Sequence, residues 1–125
     1  MYSVTVTESF IAQHYLTVPD PGPEGKLHSH QFEIEATFEG DQLGEYGYLV
    51  DIDDVKAGLE AVRERYADET LNEKPGFEGR NPSVEHFSRI ACETLLDHVD
   101  PAAADRVRVV MWEDEEAAAG YETAL

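Results

Sequence analysis

The apolar residues of this chain change their spacing twice, and this change limits the possible folds more than any other feature. In residues 2–16 and 28–38, apolar and β-branched side chains alternate with polar ones, which is typical of strands with one buried face. From Asp51 the interval becomes three or four residues, as in a helix with one apolar stripe. Alternation returns in residues 106–112. The order strand, strand, helix, helix, strand, strand predicts an α+β fold in which two helices cover one face of an antiparallel four-stranded sheet.

The two central helices are predicted from capping signals as well as from spacing. The first begins after Asp51, where acidic residues favour a helix N-terminus. The second is predicted to open at Asn81-Pro82, as a cap and first turn, and to be closed by Pro101. A fourth strand is predicted in residues 120–125. The two apolar stripes are Ile52, Val55, Leu59, Val62 and Tyr66, and Val84, Phe87, Ala91, Leu95 and Val99.

Length and charge limit the domain count and the partners. The 125 residues predict one domain, spanning 1–125. The net charge of −18, from 27 acidic and 9 basic residues, argues against nucleic acid as a partner. The acids are scattered through the periodic segments, which suits the folded surface of a halophilic protein in a salt-rich cytoplasm. No apolar run is long enough to cross a bilayer, and residues 1–4 do not open a signal peptide, so we expect a cytoplasmic protein without a membrane partner.

Three histidines form a candidate metal site. His28 and His30 are two apart on a predicted strand, so their side chains leave the same face about 6.5–7 Å apart. His14 lies near the end of the preceding strand, and an antiparallel return could place it opposite the pair. Three imidazoles without a fourth protein ligand are typical of open, catalytic zinc sites. The alternative is that the three share an ordinary surface by chance. The single cysteine, Cys92, excludes a thiolate cage and is expected to pack inside the second helix.

Six short motifs resemble those of the 6-pyruvoyl/6-carboxytetrahydropterin synthase family, in the same order and at compatible spacing. They are residues 10–14 (Phe-Ile-Ala-Gln-His), 28–30 (His-Ser-His), 47–51 (Gly-Tyr-Leu-Val-Asp), 71–72 (Leu-Asn), 81–85 (Asn-Pro-Ser-Val-Glu) and 112–113 (Trp-Glu). The resemblance covers nearly the whole chain. It implies the tunnelling fold, β-β-α-α-β-β, assembled into a barrel-forming homo-oligomer, commonly a hexamer, with active sites between subunits.

The resemblance also assigns roles to individual residues. It implies that Zn²⁺ is held by His14, His28 and His30. It implies that Glu113 anchors a small-molecule pterin, with Glu85 as a supporting contact. A carboxylate suits this task because it can accept two N–H donors from the pterin ring at once. The alternative for Glu113 is that it is one more solvated acid among the 27.

The chain departs from the family at the positions that move protons. The family usually has a cysteine four residues before the first histidine of its His-Gly-His motif, and here that position is Glu24. The family's Asp–His pair falls on Ala67 and Asp68. Glu24 and Asp68 are therefore the candidate catalytic acid and base.

The resemblance implies a zinc-dependent carbon–oxygen lyase of the tetrahydropterin synthase type, acting on 7,8-dihydroneopterin triphosphate or a related pterin. The pathway stays open between pterin, queuosine and folate biosynthesis. One alternative is an aldolase-type enzyme that cleaves the pterin side chain for folate synthesis. Relatives of that kind usually have their glutamate three residues before the first histidine, where this chain has Gly25. The other alternative is a non-catalytic zinc- and pterin-binding protein that has lost the acid–base pair.

Overall fold

The computed structural model describes residues 1–125 and contains four strands and two α-helices. The strands form one antiparallel sheet in the order β1-β2-β3-β4, and both helices pack against its inner face. The predicted fold class is confirmed. The elements are β1 (Tyr2–His14), β2 (His28–Gly40), α1 (Ile52–Tyr66), α2 (Val84–Leu96), β3 (Arg106–Trp112) and β4 (Ala118–Ala124), with short 3₁₀ helices at Gly22–Gly25 and Leu71–Glu73.

The ends of the first hairpin differ from the prediction. β1 stops at His14 and not at Leu16, because the next backbone groups bond elsewhere. The Tyr15 N–H donates to the Asn72 side chain at 3.1 Å, and the Leu16 N–H donates to the Glu24 carbonyl at 2.9 Å. β2 runs on to Gly40, which pairs with the first residue of β1.

The predicted bounds of α2 were wrong at both ends. The cap is Ser83, whose hydroxyl accepts the His86 N–H at 3.1 Å, so Asn81-Pro82 lies before the helix. The helix ends at Leu96, which leaves Val99 buried in the following loop. At the C-terminus β4 begins two residues earlier than predicted, at Ala118, because Ala118 still pairs with the end of β3.

A core of 24 buried hydrophobic residues fills the space between the sheet and the helices. Alternate residues of β2 point into it, and Phe32 contacts both Phe10 and Phe87, with ring centroids 6.1 and 5.1 Å apart. The helices cross closely at Gly58, where a Cβ would lie 2.6 Å from the Leu95 side chain. Burying one such large side chain contributes about 1.5–3 kcal/mol, so this core accounts for the position of both helices.

The outer face of the sheet is polar and two of its edges are open. Side chains such as Thr5 and Thr37, whose hydroxyls are 2.8 Å apart, lie on this face. At the outer edge of β1, the end near His14 is covered by the segment after α1. The Ile11 carbonyl accepts the Asp68 N–H at 2.6 Å, the Gln13 N–H donates to the Glu69 carbonyl at 2.9 Å, and Gln13 forms a parallel bridge with Thr70. Residues 2–10 of β1 have no backbone partner on that side. β4 forms the other edge, with β3 as its single neighbour. Open edges of this kind are sites where another chain can pair. Neither α-helix has the length and hydrophobicity that a membrane span requires.

Candidate functional site

The three histidines meet on the inner face of the sheet, at one end of the first hairpin. Strand register places His14 opposite His28, and His30 opposite Ala12. The ring centroids are 4.6–5.1 Å apart, and one nitrogen from each ring lies within 4.8 Å of the other two. The antiparallel return expected for His14 is therefore present.

Backbone carbonyls orient two of the three rings. The Nδ1–H of His14 donates to the Pro82 carbonyl at 3.0 Å, and the Nδ1–H of His28 donates to the Lys26 carbonyl at 2.7 Å. Because a carbonyl only accepts, each proton sits on Nδ1 and the lone pair on Nε2 is free. The Nε2 atoms of all three histidines are buried and have no hydrogen-bond partner. Ligating histidines are usually oriented in this way, by a second hydrogen bond from the other ring nitrogen.

Burial favours the neutral form of the His14 imidazole, which is the form that binds a metal ion. Its relative exposure is 1%. Burial lowers the pKa of His14, the bond to Pro82 opposes that shift, and the neighbouring His28 and His30 lower the pKa further. The Phe32 ring lies edge-on to His14 and His30, with centroids 6.0 and 5.6 Å away. A neutral imidazole that is held in place by packing against an aromatic ring can bind a metal ion.

Two motif asparagines hold the segment that follows His14. The Asn72 side chain bonds both the N–H and the carbonyl of Tyr15, at 3.1 and 2.9 Å. The Asn81 side chain accepts the Thr17 N–H at 2.9 Å. Because Asn81 directly precedes Pro82, the hydrogen bond between Asn81 and Thr17 also places the Pro82 carbonyl next to His14. The sequence motifs include both asparagines. The backbone carbonyls that bind the histidine rings cannot be recognised from the sequence, because they do not depend on the side chain.

Glu113 lies at the histidine cluster, just after the end of β3. Its Oε1 is 3.1 Å from Nε2 of His30 and 3.9 Å from Nε2 of His14. The His30 Nε2 makes no hydrogen bond at this distance, so a cation placed between the carboxylate and the ring nitrogen could be held by both. The Glu113 N–H donates to the Ala117 carbonyl at 3.0 Å, which fixes the turn that positions it.

Glu24 approaches the same cluster from the loop between β1 and β2. It lies in the short 3₁₀ helix Gly22–Gly25 and is exposed. One carboxylate oxygen of Glu24 lies within 4.8 Å of a ligand atom of both His30 and Glu113. The structure thus brings five of the seven predicted site residues together.

The other two, Asp68 and Glu85, lie outside the cluster. Asp68 adopts a left-handed conformation, with φ of 62°, and lines a separate cleft with Ser9 and Gln31. Glu85 is exposed in the first turn of α2, without a side-chain hydrogen bond or ion pair. Cys92 is buried in α2, and burial raises the pKa of its thiol to about 11. It therefore provides no reactive thiolate.

A cleft of about 560 Å³ opens beside the histidines. It exists because β3 stops at Trp112, opposite Glu33, while β2 continues to His28 without a partner on that side. Its lining includes His30, Glu113 and Trp112 together with five further polar residues. A small molecule in this cleft would contact His30 and Glu113, while His14 and His28 lie outside its lining.

These features define an α+β protein with an open three-histidine cluster suited to a metal ion. A model of the 6-pyruvoyl tetrahydropterin synthase family matches residues 3–124, and the chain belongs to this family. Its β-β-α-α-β-β arrangement is the tunnelling fold, as predicted.

Solved structures of the same family share the fold at low sequence identity. The chain is 17% identical to the Caenorhabditis elegans 6-pyruvoyl tetrahydropterin synthase, covering 98% of this chain and 95% of that one, with a TM-score of 0.80. It is 14% identical to the Plasmodium falciparum enzyme, covering 99% and 98%, with a TM-score of 0.81. The same values describe its match to a Plasmodium vivax enzyme in which a catalytic glutamate is replaced by alanine.

Proposed function

We propose that this protein is a zinc-dependent pterin lyase, with zinc held by His14, His28 and His30. The observation that carries the proposal is the set of three buried Nε2 atoms, which converge and have no hydrogen-bond partner. Buried polar atoms without partners are rare in folded proteins, and three together indicate a missing ligand.

The donor set suits zinc. Three imidazole nitrogens with an open fourth position match the arrangement of catalytic zinc sites. Two ligands of one tetrahedral zinc lie about 3.3 Å apart, given Zn–N bonds of about 2.0–2.1 Å. The distances from Glu113 Oε1 to His30 and His14, 3.1 and 3.9 Å, bracket this spacing, so a dication fits beside the carboxylate. A bound zinc ion would act as a Lewis acid toward the hydroxyl groups of a pterin side chain.

Glu24 and Glu113 supply the remaining chemistry. Glu24 lies close enough to the cluster to take a proton from a hydroxylated side chain held there. The Plasmodium vivax relative also has a glutamate as a catalytic residue, which supports this role for Glu24. Glu113 would turn to the pterin ring and accept its two N–H groups as a bidentate pair.

Asp68 and Glu85 would act only across a subunit boundary. Neither lies in the histidine cluster of its own chain, whereas the outer edge of β4 and residues 2–10 of β1 are free to pair with neighbours. We propose that edge pairing closes a barrel, that the assembly is a hexamer, and that Asp68 of a neighbouring copy returns the proton. The net charge of −18 suggests that this assembly forms best in a salt-rich cytoplasm.

The proposed substrate is 7,8-dihydroneopterin triphosphate or a related pterin with a hydroxylated side chain. Aldolase-type cleavage of that side chain is the second candidate, because a glutamate and not a cysteine faces the cluster. A non-catalytic zinc- and pterin-binding protein is the third, favoured by the distance of Asp68 from the histidines in one chain.

The test is to incubate the zinc-loaded protein with 7,8-dihydroneopterin triphosphate and, separately, with a related pterin that has a hydroxylated side chain. The products are then identified by mass spectrometry. Loss of triphosphate indicates the synthase-type reaction, and release of a small aldehyde indicates the aldolase type. Protein stripped of metal by a chelator serves as the control. If the zinc-loaded protein leaves both pterins unchanged but binds them, the non-catalytic function replaces the lyase.

A further inference from the structure

We propose that a second cleft, on the helix side of the molecule, binds a phosphate group. This cleft of about 380 Å³ lies between the end of α1, the helix α2 and the loop that joins them. It shares no residue with the histidine cluster, so the proposal does not depend on the proposed function. Two observations support it: a group of three arginines and a buried tyrosine hydroxyl without a partner.

The three arginines are half of the arginines in the chain, and they come from three different segments. Arg65 lies in the last turn of α1, Arg80 in the connecting loop and Arg89 in α2. Glu93 and Asp97 also line the cleft, so three guanidinium groups face two carboxylates and the cleft is net positive. A chain with 27 acidic and 9 basic residues would not be expected to collect its cations at one point without a use for them.

Most of the guanidinium N–H groups in this cleft are unused. Arg65 donates to the Thr94 hydroxyl at 3.4 Å, and Arg89 donates to Glu93 at 2.8 Å. The Arg80 side chain makes neither a hydrogen bond nor an ion pair. Because a guanidinium has five N–H donors, the two bonds orient Arg65 and Arg89 and still leave donors for a ligand.

Tyr66 also lines the cleft, and its hydroxyl is buried without a hydrogen-bond partner. The ring is fully buried and packs edge-on against Phe77 and Phe87, with centroids 6.3 and 5.2 Å away. Buried tyrosine hydroxyls normally find a partner. Apart from the Nε2 atoms of the histidine cluster, only this hydroxyl and the Nε of Arg106 lack one. An oxygen atom of a ligand in the cleft would satisfy it.

The arrangement of the donors favours a phosphate over a carboxylate. Each of the three segments contributes one arginine, and Tyr66 adds a neutral donor. A tetrahedral phosphate can accept paired N–H groups from more than one guanidinium, whereas a carboxylate has two oxygens in one plane. A phosphate monoester carries about 1.5–2 negative charges at pH 7, which suits a net positive cleft. The ligand class is therefore a phosphate dianion, either free or as part of a small phosphate ester.

The cleft is built within one chain. Its residues belong to the two helices, to the loop between them and to the C-cap of α2, and none lies in β1 or β4. The pairing of sheet edges proposed above therefore does not supply its ligand. The loop is fixed because Phe77 is buried against Tyr66, and the Arg80 N–H donates to the Phe77 carbonyl at 3.0 Å.

Isothermal titration calorimetry of the zinc-loaded full chain with inorganic phosphate, at constant ionic strength, tests the proposal. We expect saturable binding with a Kd of about 1 mM or tighter, and at least about tenfold weaker binding of acetate. Glycerol 3-phosphate in the same titration identifies the source, since tighter binding than that of phosphate indicates an ester and weaker binding indicates the free ion. Absence of saturable binding would overturn the proposal, because an acidic segment of a neighbouring copy would then satisfy the arginines. Equal binding of acetate would overturn the phosphate class.

Two variants locate the bound phosphate. Arg80→Gln should weaken binding by at least about tenfold, and it leaves the core intact because the side chain is exposed and unpaired. The matched control is Arg108→Gln, an exposed arginine of β3 outside the cleft, which should change the Kd by less than about twofold. His28→Ala should bind phosphate as the wild type does. Loss of binding in His28→Ala would place the phosphate on the metal, and wild-type affinity in Arg80→Gln would place it elsewhere on the surface; either result would overturn the proposal.

Tyr66→Phe tests the buried donor. The substitution keeps the packed ring and removes only the hydroxyl, so the ligand-free protein should be no less stable than the wild type in urea. Phosphate binding should weaken by about three- to tenfold, an effect that a purely structural role of Tyr66 would not produce. Unchanged affinity would overturn the proposal as well, because exposed arginines alone would then account for the binding.

Discussion

The histidine cluster and the loop that carries Glu24 lie side by side but are built in different ways. His14 and His28 face each other in a strand ladder, and carbonyls from Pro82 and Lys26 orient their rings. Glu24 lies in an exposed 3₁₀ turn outside that ladder. In paired strands, a register shift of one residue moves a side chain to the opposite face of the sheet. In a turn, by contrast, residues at several sequence positions can place a side chain at the same point in space. This difference explains how the three histidines keep the family's spacing while a glutamate occupies the position of the cysteine.

The first prediction tests the histidine cluster, the region held by the strand ladder. His28→Ala removes one of three converging ligands and should reduce zinc from about one ion per chain to a small fraction of that. The loss should exceed the about 10–100-fold in affinity that removal of an outer-shell partner costs. Elemental analysis after dialysis measures it, with His98→Ala as the exposed control. Stoichiometric zinc in His28→Ala would show that the metal binds elsewhere.

The second prediction addresses the loop. Glu24→Gln keeps size and shape but removes the proposed base, so turnover should fall by about 10²–10⁴-fold while zinc binding is retained. Steady-state rates and zinc content are measured on the same sample. Asp20→Asn is the control, because it makes the same chemical change in the same loop, at φ of 51°, which asparagine tolerates. Wild-type turnover in Glu24→Gln would move the search for the base to Asp68.

The third prediction compares the stability of the two regions. Phe32 is fully buried beneath the histidines, and Phe32→Ala should lower the free energy of unfolding of the metal-free protein by about 3–5 kcal/mol. Leu27→Ala, in the loop and 57% exposed, should change it by less than about 0.5 kcal/mol. Urea denaturation followed by circular dichroism gives both values. Equal effects would mean that the loop is as much a part of the core as the cluster is.

The smallest effect is expected at the only cysteine. Burial raises the pKa of Cys92 from 9.0 to about 11, so at pH 8 its thiolate is about 100-fold scarcer than in the unfolded chain. Cys92→Ala should therefore leave turnover within about threefold, and a thiol reagent should modify the wild type quickly only in urea. Rapid labelling of the native protein, with loss of activity, would give the cysteine a catalytic role.

The sequence predicts most of the fold because periodicity reports which face of an element is buried. β3 matches its predicted span, Arg106–Trp112, and the inward residues of β2 are those that the alternation selects. The errors fall at element ends, where a local contact decides the outcome. Ser83 caps α2 although Asn81-Pro82 has the stronger composition, since the Asn81 side chain is already bonded to Thr17.

The candidate site was predictable only where side chains define it. The spacing of His28 and His30 on one strand locates the pair, and the motifs locate Glu113. The carbonyls that orient the rings belong to Pro82 and Lys26. Every residue has a backbone carbonyl, so the residue types at these two positions do not reveal this role. The separation of Asp68 from the cluster also depends on the path of the chain after α1, which no local pattern reports.

The long pairing of β1 with β2 has a consequence for the order in which the protein forms. All three histidines belong to one hairpin of adjacent strands, whereas Glu113 reaches them only after β3 has found β2 across both helices. Loop closure over a longer chain is slower, so the hairpin is expected to form before β3 docks. During synthesis the three histidines would leave the ribosome long before Glu113, so the candidate metal site forms before the cleft beside it is complete.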